Sequence, residues 1–532
     1  MSCAERTRHP FRFPLEIRAA RTPDAPALVY RGDASPAPIS LNAFRGPGGI
    51  AGALPQLASG SASGPPVTVS FRELDRVVAV VAQGLLARGI RPGERVGLLL
   101  PPGPAYPVLV LSLLRVGAVT VPVSTRLPGP AVRGLLERIG CRRLITDGDA
   151  PLDSAARIET IDAAEFGAGV APVSATEYDA LPSSHNWSEG DLPPFEPVSD
   201  ATIVFTSGST GVPKAAVHTF KNHWASAVGS NRNIPLRPGD RWLLSLPPWH
   251  VGGLSVIFRC LLGGAAIAVA GKGEPLADAI SSLGATHVSL VATQLHRLLR
   301  EEHGRPALLR LKAVLLGGGP APAALVREAS LAGVRLVTSY GSTEMSSQTT
   351  ATRPGDPPEA LDTCGRPLAF RELSVAADDE LLARGRTLFR GYVEGTQVHS
   401  ARDASGWFHT GDLGHLDADG RLVVVGRRDT MFISGGENIH PEEVERELLR
   451  FTGVLAAIVA PVPDPEFGAR PVAFLRTIDG LLPDGADLDR FLRLTLPGFK
   501  VPQRYLRWPD VEEGMKPDRR GLAALAREPS AR

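Results

Sequence analysis

The stretch Thr206-Ser-Gly-Ser-Thr-Gly-Val-Pro-Lys214 gathers residue types that can hold phosphate. Backbone N–H groups and short hydroxyls can line an anion-binding concavity, and glycine lets the backbone approach closely. The spacing does not fit the Walker form G-x-x-x-x-G-K-[ST]. Taken alone, the string would also suit a polar hairpin turn. Three further strings follow it: Ser339-Tyr-Gly-Ser-Thr-Glu344, Thr410-Gly-Asp412, and Gly426-Arg-Arg-Asp-Thr-Met-Phe-Ile-Ser-Gly-Gly-Glu-Asn-Ile-His-Pro-Glu-Glu-Val-Glu445. Lysine usage points the same way. Of 57 Lys+Arg only six are lysine: Lys214, Lys221, Lys272, Lys312, Lys500 and Lys516. Where arginine fills nearly every generic surface role, a retained lysine is a candidate for a crowded phosphate, because a compact ammonium and a planar guanidinium are not interchangeable.

In this order the four strings resemble those of the acyl-adenylate-forming superfamily, which includes acyl- and aryl-CoA ligases, peptide-synthetase adenylation domains and luciferases. The resemblance covers nearly the whole chain apart from an insertion at 33–66. It implies an α/β fold with a large multi-layer N-terminal domain of adenylate-forming type (1–427), a hinge (428–430) and a small mobile α+β C-terminal domain (431–532). It also implies ATP, Mg2+ and coenzyme A as co-substrates and cofactors. A carboxylate would attack the α-phosphate of ATP, and coenzyme A would then displace AMP. Such chemistry brings two anions together, so it needs neutralised charge and fixed alignment.

The resemblance assigns roles residue by residue. Thr206, Ser207, Gly208, Ser209, Thr210, Gly211 and Lys214 would cradle the β- and γ-phosphates. Thr343 and Glu344 would face the α-phosphate and Mg2+, for which a carboxylate is a natural hard ligand. Gly318, Tyr340 and Gly341 would belong to the ATP site, with Gly318 in the string lining the acyl and adenine pocket, and Asp412 with Arg427 would take the ribose. Asp429 would sit in the hinge, and Ser434, Gly435 and Gly436 would border the pantetheine tunnel. Lys516 stands where the superfamily has its adenylation lysine, although Met515 and Pro517 depart from the common Ser-Gly-Lys form; a solvated C-terminal lysine is the alternative.

Within the superfamily, Pro213-Lys-Ala-Ala-Val-His-Thr219, Ser289-Leu-Val-Ala-Thr-Gln-Leu295, Lys312-Ala-Val-Leu-Leu-Gly-Gly318 and Glu466-Phe-Gly-Ala-Arg-Pro471 resemble the o-succinylbenzoate–CoA ligases of menaquinone biosynthesis. That acid carries a second carboxylate, which needs a partner inside an aryl pocket. Arg259, within the apolar segment Leu254 to Leu262, is either that partner or a core-edge arginine in a structural salt bridge. His250, Thr293, Gly317, Ser342 and Ser346 are the other pocket candidates. Competing readings are a benzoate- or halobenzoate-type ligase, an adenylation domain loading a carrier protein, and a non-catalytic protein of the same fold. The last would be expected to lose Lys214, Glu344, Asp412 or Lys516, and all four are present.

The elements that must position these residues can be read from periodicity. Ala201 to Phe205 reads as a buried strand ahead of the first string, and Val334 to Val337 as one ahead of the second. Ser70-Phe-Arg-Glu73 is a capping box opening a helix with Leu74, Val77, Val78, Val81 and Leu85 at helical spacing. Strand–helix alternation continues through Arg95–Leu100, Ala105–Val116, Ala118–Val123, His287–Ala292, Gln294–Glu301 and Ala313–Leu316. It implies a largely parallel sheet. Near Gly426 the pattern shifts: Leu422–Val425 reads as a strand and Pro441–Arg450 as a helix with acidic residues in its first turn.

Composition narrows the rest. At 532 residues the chain supports three to four structural units, with 43% hydrophobic and 21% charged content. A net charge of +1 gives no footprint for nucleic acid or an anionic membrane. Cys3, Cys141, Cys260 and Cys364 are scattered, which fits a reducing compartment without disulfides or zinc. No apolar run is long enough to span a bilayer and Met1 to Arg21 lacks a signal-peptide pattern, so the expectation is a cytoplasmic enzyme. Whether it works alone or as a homodimer is left open.

Overall fold

The computed structural model describes residues 12–31, 65–148, 158–163, 195–206, 213–319, 321–434, 437–464, 467–509 and 519–526. All but the last two residues of the expected 33–66 insertion lie outside them. So do Ser207, Gly208, Ser209, Thr210, Gly211, Gly435, Gly436 and Lys516.

Among the described residues, two large sheets enclose a helical layer. One sheet has nine strands and at its centre runs Leu336–Ser342, Ala313–Leu316, His287–Leu290, Arg241–Leu243, Ala266–Val269 and Pro26–Arg31, all parallel. Antiparallel strands Ser347–Ala351 and Pro66–Ser70 flank that run. The second sheet has eight strands. Asp200–Thr206, Val119–Pro122, Arg95–Leu99, Arg143–Thr146 and Glu159–Asp162 run parallel, and Lys214–Thr219 and Gly391–Glu394 continue it in antiparallel fashion. Four helices pack between them: Phe71–Ala87, Ala105–Val116, Phe220–Asn233 and Val251–Gly263. The main core cluster joins residues of both sheets, such as Trp242 and Val204, to Val110 and Phe258 of these helices. This explains why Ala105–Val116 is almost wholly apolar: it has no solvent face, and its one charge, Arg115, is paired with Asp75 and Glu16.

Local signals act as the physics requires. Ser70 Oγ accepts the Glu73 N–H at 3.3 Å and Glu73 accepts the Ser70 N–H at 2.6 Å, which closes the capping box. Thr219 and Asn222 form a second box, which starts Phe220–Asn233 directly after the strand that carries Lys214.

A four-stranded antiparallel sheet follows, with Arg371–Val375, Glu380–Gly385, Phe408–Leu416 and Leu422–Arg427 in that order. Beyond it, Ile439, Val444, Val459, Leu475 and Leu492 form a separate core around Val454–Asp464, Gly468–Thr477 and Pro441–Leu448. Two motif placements differ from the sequence expectation. The Ser339 string does not follow its strand but forms it, since Leu336–Ser342 continues through Ser342 by pairing with Ser347–Ala351. Likewise Asp412 lies inside Phe408–Leu416, not ahead of a strand. In both cases an antiparallel neighbour extends pairing beyond the apolar residues that periodicity detects.

Candidate active site

Three sheets meet where the motif residues lie. From the nine-stranded sheet come Gly317 and Gly318, just past the C-terminal end of Ala313–Leu316, and Tyr340 to Glu344. Ligand crevices of open α/β sheets form outside such strand ends. The hairpin is tight at Gly341, where a Cβ would stand 2.1 Å from the Ser347 carbonyl oxygen. Only glycine fits there. Gly317 is similar: an added Cβ would meet Ser339 Oγ at 2.9 Å. The eight-stranded sheet contributes Thr206 and Lys214, register partners in the antiparallel pair on either side of residues 207–212. The four-stranded sheet contributes Asp412 and Arg427, also register partners.

These side chains interlock. Tyr340 donates its hydroxyl to Asp412 Oδ2 at 2.6 Å, and Arg427 Nη1 donates to Asp412 Oδ1 at 2.9 Å. Burial raises the Asp412 carboxyl above its usual range, with the Arg427 cation opposing the shift. Arg427 Nε also donates to Asp429 at 2.9 Å, which ties the Asp412–Arg427 pair to the expected hinge. Tyr392 donates its hydroxyl to Glu344 Oε1 at 2.7 Å, and Lys214 Nζ lies 5.1 Å from the centroid of the same ring. The turn after Ser342 is held from behind: His218 Nε2 bonds the Thr343 carbonyl at 2.7 Å, and Phe389 N–H donates to the Glu344 carbonyl at 2.7 Å.

Glu344 is half-buried, and among the described residues Tyr392 is the one side chain that bonds its carboxylate. No three His, Cys, Asp or Glu side chains among the described residues converge as a metal cage. The donor set that Glu344 offers suits Mg2+, which binds through one or two carboxylates plus substrate phosphates.

On the acyl side, Arg259 is fully buried on Val251–Gly263, with 1% of its surface exposed. Its guanidinium lies 5.1 Å from the Trp242 ring centroid and donates to Ser347 Oγ at 2.9 Å and Gln348 Oε1 at 3.1 Å. Nε and Nη1 have no partner, and no carboxylate pairs with Arg259 among the described residues. The structural salt bridge expected as one alternative is therefore not formed there. A second buried guanidinium, Arg371, donates to the Gln348 carbonyl at 2.5 Å and to Ser226, also without a carboxylate among the described residues. Burial lowers Arg259 to about 10, and burial together with the Arg259 cation lowers Arg371 to about 9.

The remaining expected residues divide. His250 is the exposed N-cap of Val251–Gly263, Thr293 is exposed on Ala292–Arg300, and Ser342 accepts the Met345 N–H at 3.3 Å. Ser346 is a correction: its buried hydroxyl donates to the Thr387 carbonyl at 2.8 Å, so it is committed inside the protein and not offered to a substrate. Ser434 is buried at the end of Phe432–Ser434. Sequence reasoning missed Tyr392, His218 and Arg371. A usable signal existed for the first: the chain has only six tyrosines, and three of them bond carboxylates, Tyr340 and Tyr392 at this site and Tyr505 to Asp489.

The interlocked carboxylate, phenol and guanidinium lie where strands of three sheets meet. The AMP-binding enzyme family model matches residues 15–393, and the chain belongs to that family. It is 36% identical over 458 residues to 2-succinylbenzoate–CoA ligase of Salmonella typhimurium, covering 85% of this chain and 92% of that protein. Its fold is similar to o-succinylbenzoate coenzyme A synthetase of Bacillus subtilis in complex with the acyl-adenylate intermediate, with a TM-score of 0.74, 28% identity and 94% of each chain covered. The same Bacillus subtilis enzyme in complex with ATP and magnesium ion gives a TM-score of 0.74 at 28% identity, covering 93% of this chain and 95% of that one.

Proposed function

We propose that this chain is an AMP-forming ligase that joins o-succinylbenzoate to coenzyme A through an acyl-adenylate. The observation that carries the choice of acid is Arg259: a buried guanidinium on Val251–Gly263, bonded to Ser347 and Gln348 and with no carboxylate partner among the described residues. A buried charge without a counter-ion is costly, and a substrate with a second carboxylate supplies one. Arg371 adds a further positive charge behind it. A benzoate-type acid would leave both guanidiniums uncompensated. The similarity to ligases of this acid supports the same reading.

In this reading Lys214 and the 207–212 loop hold the outer phosphates, and Glu344 carries Mg2+, which neutralises phosphate charge when bound. Asp412, held by Tyr340 and Arg427, takes the ribose hydroxyls. The activated carboxylate of the acid attacks the α-phosphorus and pyrophosphate leaves. The coenzyme A thiolate then attacks the acyl carbon and AMP leaves. Lys516 bridges the carboxylate and α-phosphate in the first step. Residues 1–427 form the large domain, 428–430 the hinge and 431–532 the small domain; the separate core around Ile439 and Leu475 supports that division. Among the described residues no helix is long and apolar enough to cross a membrane. We place the enzyme in the cytoplasm, where buried thiols such as Cys141 and Cys260 stay reduced.

The test is pyrophosphate release with ATP, Mg2+ and coenzyme A across o-succinylbenzoate, benzoate and medium-chain fatty acids. Strong preference for o-succinylbenzoate is expected. Preference for a monocarboxylate would remove the assignment of the acid and leave the adenylation chemistry standing.

A further inference from the structure

Lys214 and Glu344 carry opposite charges on neighbouring sheets, yet they form no ion pair with each other in this structure. Between them stands Tyr392, on Gly391–Glu394. Its hydroxyl donates to Glu344 Oε1 at 2.7 Å, and its ring faces the Lys214 ammonium at 5.1 Å. The ring is itself held edge-on by Phe389, with centroids 4.8 Å apart. Its strand pairs with Lys214–Thr219, Tyr392 opposite Ala216, so backbone register fixes it beside the lysine. A phenol is suited to both neighbours: the O–H serves the carboxylate while the negative ring face serves the cation.

We propose that Tyr392 is a positioning residue that keeps Lys214 and Glu344 apart until nucleotide and metal arrive. Without it, a flexible ammonium and a half-buried carboxylate on facing sheets would neutralise each other. That contact would have to break before Lys214 met phosphate and Glu344 met Mg2+. Tyr392 gives each group a weaker contact that ligands can replace: ring for ammonium, hydroxyl for carboxylate. The site is thereby charged and open in the free enzyme. This inference rests on the proposed roles of Lys214 and Glu344.

The experiment measures Mn2+ binding to the full-length protein in the presence of ATP, by electron paramagnetic resonance of free Mn2+. Four proteins are compared: unchanged, Tyr392→Phe, Lys214→Met, and the double variant. Phenylalanine keeps the ring and the fold but loses the hydroxyl, so Glu344 is free to turn towards Lys214. The charge-assisted bond that Glu344 would then make to Lys214 must break before metal binds, which supports an effect of about tenfold in affinity. The expected result is about tenfold weaker Mn2+ binding in Tyr392→Phe when Lys214 is present, and less than about twofold when residue 214 is methionine. Equal weakening in both backgrounds would mean a merely structural tyrosine and overturn the proposal, as would no weakening in either. Failure of the unchanged protein to bind Mn2+ with ATP would instead count against the nucleotide-site reading itself.

Discussion

Replacing Arg259 by methionine separates a substrate-binding guanidinium from a structural one. Burial lowers Arg259 from its ordinary range to about 10, so the folded state disfavours its charged form. At about 1.4 kcal/mol per unit, this corresponds to roughly 3 kcal/mol at neutral pH, where the group is charged both folded and unfolded. The sign follows from linkage. A lowered base costs stability below its folded pKa, and the cost fades only as pH rises beyond about 10. Against this stand the hydrogen bonds to Ser347 and Gln348, worth about 1 kcal/mol each. Methionine adapts to irregular space and adds little strain. The net change in stability should therefore be small, within about 1–2 kcal/mol. Breaking a buried salt bridge would instead cost about 3–5 kcal/mol.

Activity should change in the opposite pattern. The second carboxylate of the acid loses a charge-assisted bond worth about 1.5–3 kcal/mol, which lowers kcat/KM by roughly 10- to 150-fold. Benzoate, which has no such group, should be affected less than about threefold. The assay pairs urea unfolding with pyrophosphate release for the two acids. Parallel loss for both acids, together with destabilisation beyond about 3 kcal/mol, would refute the reasoning.

Acid stability offers another check. Burial holds the His218 imidazole at about 4, below its ordinary 6.5, so the unfolded chain takes up a proton that the folded chain refuses. Stability should be full above pH 6.5 and decline towards pH 4, and His218→Gln should flatten part of that decline in urea midpoints measured across the range. An unchanged slope would show that this histidine is not the group responsible. Lys516→Ala should abolish ATP–pyrophosphate exchange while sparing attack of coenzyme A on preformed acyl-adenylate. Equal loss of both half-reactions would remove its assigned role.

Much of the scaffold was legible because it is local. The capping box at Ser70 and Glu73 depends on four adjacent residues and forms as read. Ala313–Leu316 is a continuous apolar run bounded by polar or glycine residues, and its strand limits match. Strand limits were missed at Ser339–Ser342 and Asp412, because an antiparallel hairpin neighbour holds polar residues extended that periodicity treats as loop.

The sequence by itself determined which residue types are available and in what order: a Gly/Ser/Thr string ending in a scarce lysine, a Thr-Glu pair, and a Thr-Gly-Asp string. Those are properties of short strings, carried by backbone conformation and side-chain chemistry. Only the tertiary structure decided what each side chain meets. It placed Tyr392 between Lys214 and Glu344, 178 and 48 positions away along the chain. It turned the Ser346 hydroxyl inward and left Arg259 buried without a carboxylate partner among the described residues. Such contacts depend on how three sheets converge, and that convergence is set by packing across the whole core, which no local string encodes.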